Sequence, residues 1–296
     1  MRPFRTLLPL LLSLIAGLAL TSAVAGETKG HLVIIGGGER TTAIMKHFVD
    51  LAGGPGRAKI IVIPLASSEP EQTGKDYVAE FHGLGVTDVR ALIPTRAEAM
   101  AESTSATLSG VTGVFFSGGD QVFITRVIVG TPLQKKLHSL YHAGAVIGGT
   151  SAGAAIMSRV MITGDELINK DSSNIFVSIL KGNVQTIEGL GFLDNVIIDQ
   201  HFVKRKRLNR LISVVLENPT LPGIGIDEST ALIVKPGGTA EVMGEGTAVV
   251  LDPRKARNIH TDPHGNLAAR NITTHIFSTG ESFDLKTLQV RPGRKN

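Results

Sequence analysis

Five short apolar runs, each followed by a helix-like segment, constrain this chain more than any other feature. His31 to Gly36, Lys59 to Leu65, Val89 to Ile93, Val111 to Phe116 and Ala145 to Gly149 read as strands. Between them Thr41 to Leu51, Glu71 to Leu84, Ala97 to Glu102, Asp120 to Val129 and Pro132 to His142 carry helical periodicity with polar or proline starts. Strands buried on both faces are apolar throughout, and parallel neighbours need crossover connections. The alternation therefore predicts an α/β fold, a doubly wound, mostly parallel sheet sandwiched by helices. Three strand ends carry glycines: Gly36-Gly37-Gly38, Gly118-Gly119 and Gly148-Gly149. Ligands of open α/β sheets bind beyond the carboxyl ends of the strands, so these turns imply one shared cleft. The first triplet lacks both the G-x-G-x-x-G spacing and a P-loop lysine, which makes it a cleft wall rather than a phosphate cradle.

The second half reads less regularly. A polar stretch from Gly164 to Asn174 precedes a strand ending at Asp199 and a basic helix from Val203 to about Leu216. Gly223 to Val234 and Ala240 to Leu251 read as the strands of a hairpin turning at Pro236-Gly237-Gly238. Beyond Asp252 a polar tail takes no assignment, and the Asn271-Ile272-Thr273 sequon reads as chance.

The first 25 residues differ in kind. Arg2 and Arg5 precede an apolar run from Leu7 to Leu20, and Ala23-Val24-Ala25 supplies a small-x-small cleavage pattern. This is the pattern of a secretory signal peptide. The run is short for a membrane span, which needs ~20 residues, so no stable membrane anchor is expected after cleavage. The expected mature protein is a single catalytic α/β domain, 26–296, secreted or periplasmic. Export permits disulfides, yet the chain has no cysteine, which excludes thiol nucleophiles and zinc-thiolate sites. The net charge of +4 is modest and its one dense basic run is compact, so a small acidic group or acidic polymer suits it better than nucleic acid.

Gly149-Thr150-Ser151-Ala152-Gly153 sits where an apolar strand meets small helical residues, the layout of a nucleophile elbow. Such a turn lifts the Ser151 hydroxyl above the sheet and aims the Ala152 N–H at a developing oxyanion. A Gly/Ala-rich turn with a serine helix cap is the competing reading. Serine needs a base, and His201 closes the apolar strand Val196-Ile197-Ile198, where a strand end would bring it to Ser151.

The orienting acid is sought in Gly225-Ile226-Asp227-Glu228-Ser229, where two acids interrupt an apolar strand. A buried carboxylate needs a partner, so Glu228 is assigned to His201, with Asp165 or Glu166 in reserve. Alternation puts Asp227 on the opposite face, with an arginine as its candidate partner. A second oxyanion donor is expected from Ser117-Gly118-Gly119-Asp120-Gln121, with Gly119 the leading choice; an ordinary strand-to-helix turn with Asp120 as N-cap is the competing reading. Gln121 is placed to reach substrate. Arg205, Arg207 and Arg210 occupy the basic helix, where 207 and 210 share a face and 205 is offset from 207 by ~200°, so the three need not converge.

Four segments taken together resemble the cyanophycinases: Gly149 to Ala154, Ser117 to Gln121, Asp199-Gln200-His201-Phe202 with the following Arg205 to Leu211, and Gly225 to Leu232. These are serine exopeptidases of the family that also contains aspartyl dipeptidase. The resemblance runs from about His31 to Leu251 and implies a class I glutamine-amidotransferase-like sandwich, usually a homodimer, with no metal or cofactor. It implies hydrolysis of cyanophycin, a poly-aspartate with arginine on each β-carboxyl, to β-aspartyl-arginine. On the matching positions it makes Ser151 nucleophile, His201 base and Glu228 acid. It also makes Gln121, Asp199, Gln200, Arg205, Arg207 and Arg210 the substrate-binding set. Three features depart from the pattern: Asn209 stands where glycine is expected, the leader matches the exported type, and an extra polar tail follows Asp252. A dipeptidase for short aspartyl or isoaspartyl peptides shares the triad. A non-catalytic periplasmic binding protein on the same fold is the reading from another class.

Overall fold

β1 (His31–Ile35) lies at the centre of the main sheet, and its residues alternate between two separate cores. Leu32 and Ile34 face one core while Val33 and Ile35 face the other, and β2 (Lys59–Ile63) and β4 (Gly113–Phe116) divide their side chains in the same way. A strand with two apolar faces must be covered on both. This computed structural model describes residues 28–168 and 176–291; the expected signal peptide and positions 169–174 of the polar stretch lie outside the described residues.

The first half follows the alternation in the sequence: α1 (Thr42–Leu51), α2 (Pro70–Gly83), β3 (Asp88–Ala91), α3 (Arg96–Met100), α4 (Glu102–Ala106), α5 (Gln121–Ile128), α6 (Pro132–Ala143), β5 (Val146–Thr150) and α7 (Ala152–Ala155) join the strands above. Local chemistry starts the helices. Thr41 and Asp120 accept the N–H of Ile44 and Val122, and Thr131 caps α6 with proline at its first position. One expected helix, Ala97 to Glu102, is instead two, because Ala101 leaves the helical region at ψ 132°.

The main sheet has nine strands in the order β17-β16-β11-β10-β1-β5-β4-β2-β3. The five strands from β1 to β3 in that order are parallel, and the remainder are added antiparallel. The second half supplies β6 (Val160–Glu166), β7 (Val184–Glu188), β8 (Ile197–Gln200), α8 (Leu208–Glu217), β9 (Gly223–Ile226), β10 (Thr230–Val234), β11 (Thr239–Gly244) and β12 (Ala248–Asp252). It ends with β13 (Arg257–Thr261), β14 (Leu267–Arg270), β15 (Thr273–Phe277), β16 (Ser282–Asp284) and β17 (Val290–Arg291). A second sheet, β15-β12-β9-β8, packs its Ile198, Ile224, Ile226 and Val250 into the core beneath Leu32 and Leu232. One face of the main sheet is therefore covered partly by strands, where helices alone were expected.

Three further expectations are corrected. The segment Gly223 to Val234 is two strands in two sheets, broken at Asp227 to Ser229, and only β10 and β11 form the hairpin, while β9 pairs with β12. The tail after Asp252 is folded: β15 joins the second sheet, β16 joins the main sheet, and the rings of Phe277 and Phe283 stack at 4.3 Å. The basic helix begins at Leu208, so Arg205 and Arg207 lie in the turn before it.

Candidate active site

Ser151 occupies the sharp turn between β5 and α7 with φ 54° and ψ −106°, a conformation that costs a non-glycine residue ~1–3 kcal/mol. The flanking glycines make the turn sterically feasible. A Cβ on Gly149 would stand 2.5 Å from the Gly153 carbonyl oxygen, and one on Gly153 would stand 2.5 Å from that of Phe116. The Gly153 N–H donates to Ser117 O, which ties the elbow to the end of β4. Ala152 is the first residue of α7, so its N–H has no acceptor within the helix.

Three successive carbonyls at the end of β1 organise the rest. Ile35 O accepts from Ser151 N at 3.0 Å, Gly36 O from His201 N at 2.6 Å, and Gly37 O from Ser229 N at 2.9 Å. One strand end thereby holds the elbow, the end of β8 and the turn between β9 and β10. His201 and Ser229 also take positive φ, 48° and 52°, which these bonds help to maintain. In consequence the Ser151 hydroxyl lies 2.9 Å from His201 Nε2, and His201 Nδ1 lies 2.6 Å from Glu228 Oε1. Gly37 and Gly38 press against the imidazole and against Glu228. The glycine triplet is thus the wall behind His201 and Glu228.

Glu228 sits in the break between the two sheets, about a quarter exposed, not within a strand. The reserve acids lie elsewhere. Glu166 accepts from Asn183 at 2.7 Å, and Asp165 is exposed on the cleft rim. Among the described residues Asp227 pairs with no arginine; its carboxylate accepts the Lys204 backbone N–H at 2.9 Å.

A hollow of about 410 Å³ opens beside Ser151, lined by Gly119, Gln121, Gln200, Arg205, Arg207 and Arg210 among others. The three arginines share it because two of them precede the helix, whose geometry would have spread them. Their partners differ. Arg210 is buried and grips Asp199 with two hydrogen bonds, and its guanidinium lies 5.2 Å over the Phe176 ring. Arg207 donates to the Gln200 carbonyl at 2.7 Å and to the Gln200 side chain. Among the described residues it forms no ion pair, although it is only 8% exposed. Arg205 is half exposed, 3.9 Å from Glu228.

The sequence profile of peptidase family S51 matches residues 32–242. The chain belongs to this family. Its relatives include the cyanophycinase of Synechococcus elongatus, 38% identical over 271 residues that cover 89% of this chain and 81% of the relative. The cyanophycinase of a Nostoc species is 34% identical over 273 residues, covering 90% of this chain and 89% of its own. Among solved structures, a peptidase from an acI-B1 Actinobacterium superposes with a TM-score of 0.64 at 23% identity, covering 88% of this chain and 98% of that one, which establishes the shared fold. The protein is a serine-type peptidase.

The electrostatics of this S51 peptidase follow from burial. Desolvation pulls the His201 imidazole below its usual value, aided by Arg205 and Arg207 and opposed by the bond to Glu228. The Glu228 carboxyl is held below the usual range, first by its hydrogen bond from His201. At neutral pH the pair is a free imidazole beside a carboxylate, the state a general base requires. Burial pulls the Arg207 guanidinium down to about 9, with Arg210 adding to the effect, and it stays charged at neutral pH.

Several residues of the expected substrate set carry structural bonds. Gln121 donates its amide to the carbonyls of Ile162 and Thr163, fastening β6 to the cleft. Asp199 is spent on Arg210. Asn209, at the position where glycine was expected, donates to Phe176 O at 2.8 Å and so anchors the ring that carries Arg210. Thr163 and Gly164 also line the hollow; the sequence marks Gly164 only as the start of a polar stretch and Thr163 not at all. Both fall where the pairing of β6 with β7 slips between Ile162 and Glu166, an irregularity that only the partner strand defines.

Proposed function

We propose that this protein is an exported serine exopeptidase that hydrolyses cyanophycin to β-aspartyl-arginine dipeptides through an acyl-enzyme on Ser151. The Ser151 hydroxyl attacks the scissile carbonyl and His201 Nε2 takes its proton, while Glu228 holds the imidazole by Nδ1 and balances its charge. The carbonyl oxygen, now anionic, is met by the Ala152 N–H and an amide of the Gly118-Gly119 turn, Gly119 being the assigned donor. The carbon–nitrogen bond breaks as His201 returns the proton to the leaving amine. Water, activated by His201, then hydrolyses the ester and restores the serine.

The observation that carries the substrate reading is Arg207. A buried cation without a carboxylate is costly unless a ligand supplies one, and cyanophycin presents a free carboxylate on every arginine it bears. The names of the curated relatives favour the same polymer. Export rests on the leader pattern in residues 1–25, and a homodimer is the expected assembly.

Incubating the purified chain from Gly26 onward with insoluble cyanophycin tests the reading. Clearing with release of aspartate-arginine dipeptides by mass spectrometry, absent in Ser151→Ala, is the expected result. Intact polymer together with cleavage of short aspartyl peptides would replace cyanophycinase with dipeptidase activity.

A further inference from the structure

We propose that a second hollow, on the histidine side of Ser151, receives the leaving group, and that Arg40 binds a carboxylate of the departing unit there. This rests on the reading of Ser151 as a peptidase nucleophile.

The hollow measures about 390 Å³ and is lined by Arg40, Ser67, Thr73, Tyr77, Ser117 and His201 among others. Ser151 and Arg205 border both hollows, whereas His201 borders only this one, and Arg207 and Arg210 only the other. The asymmetry assigns the sides. The imidazole that takes the serine proton must return it to the leaving nitrogen, so that nitrogen lies next to His201 Nε2. The acyl part then fills the Arg207 side, and the amine product fills this one. In a peptide the amine product is the C-terminal portion, and at a chain end it carries a free carboxylate.

Arg40 is prepared for such a group. It follows the glycine triplet after β1, and its guanidinium lies over the Tyr77 ring, 4.3 Å from the centroid. One nitrogen donates to Glu80 at 2.6 Å, which fixes the fork; among the described residues this is its only side-chain hydrogen bond. Among the described residues its Nε is buried without an acceptor and the hydroxyl of Ser117, in the same hollow, is buried without a partner. Ser67 and Thr73 add hydroxyls, 2.7 Å apart. A guanidinium held flat with donors unspent is a receptor for a carboxylate, bound in the plane of the fork. A cation at this position favours scission beside a free chain end.

The test compares a trimer of β-aspartyl-arginine units bearing a free backbone C-terminal carboxylate with the same trimer as its C-terminal amide. The wild type should hydrolyse the acid with kcat/KM about 10- to 100-fold higher, chiefly through KM. Arg40→Gln should erase that preference and Arg40→Lys restore part of it. Equal kcat/KM for acid and amide in the wild type, or an unchanged preference in Arg40→Gln, would overturn the assignment. If neither trimer is cleaved, the peptidase reading fails by itself, and calorimetry on Ser151→Ala decides the subsite. Tighter binding of the acid that is lost with Arg40→Gln supports it, and equal binding of acid and amide refutes it.

Discussion

Gly37 and the His201 ring are packed so closely that a Cβ on Gly37 would stand 2.2 Å from the imidazole Cε1, at a backbone φ of 110° that favours glycine. The turn after the first strand thus fixes the His201 ring, whose hydrogen-bond partner Ser151 lies at the end of the fifth. Gly37→Ala must displace the imidazole from Ser151. Since misplacement by about 1 Å can cost ~100-fold, kcat should fall by at least that factor while far-UV circular dichroism stays native. Unchanged turnover would mean that the turn yields instead.

Ser151→Ala removes one hydroxyl and leaves the strained turn in place. Turnover should fall by ~10⁴-fold or more with a stability change within ~0.5 kcal/mol, and covalent labelling by a serine-reactive phosphonate should vanish. Labelling that persists in the variant would place the nucleophile elsewhere.

The acid limb of the pH profile should report His201. Its pKa is lowered, so kcat/KM should be flat at neutral pH and decline only as the pH falls below the ordinary histidine value of 6.5. Glu228 raises the His201 pKa. Glu228→Gln should therefore shift the limb further toward acid while reducing the plateau by ~10⁴-fold, and a limb that moves toward alkali would contradict the pairing.

Asp199→Asn leaves Arg210 buried without its anion. Breaking a buried pair costs ~3–5 kcal/mol, so thermal unfolding should shift down by many degrees, in contrast to Ser151→Ala. A native melting temperature would show that Arg210 finds another partner.

Arg207→Lys keeps a cation but loses the planar fork. KM for the polymer should rise ~10-fold or more with kcat less affected, as steady-state kinetics on soluble oligomers would reveal. A fall confined to kcat would instead assign Arg207 to the transition state.

The site residues differ in how far the sequence disclosed them. Ser151 was legible because glycines two before and two after it are demanded by local sterics, and His201 because it closes an apolar run. Glu228 is legible because a carboxylate among apolar residues needs a partner, but it lies in a turn between strands where the sequence reads as a strand. Gly223 to Val234 reads as one strand interrupted by acids, and in the fold Asp227-Glu228-Ser229 is a break between two strands of different sheets. Arg205 and Arg207 were assigned helical spacing that the chain abandons in favour of a turn, with Lys206 at φ 53°. Arg40 carried no signal, since its partners Tyr77 and Glu80 come from a helix about forty residues later.

What the sequence determined by itself was the series of doubly buried strands, the crossover helices and the elbow, because periodicity, capping and glycine sterics act over a few residues. Tertiary structure alone decided that the chain leaves one sheet at Ile226 and enters another at Thr230, that three arginines meet in one hollow, and that the tail completes both sheets. Those outcomes depend on apolar faces and backbone donors finding partners far along the chain. The carbonyls of Ile35, Gly36 and Gly37, which hold the segments bearing Ser151, His201 and Glu228, have no counterpart in any local pattern.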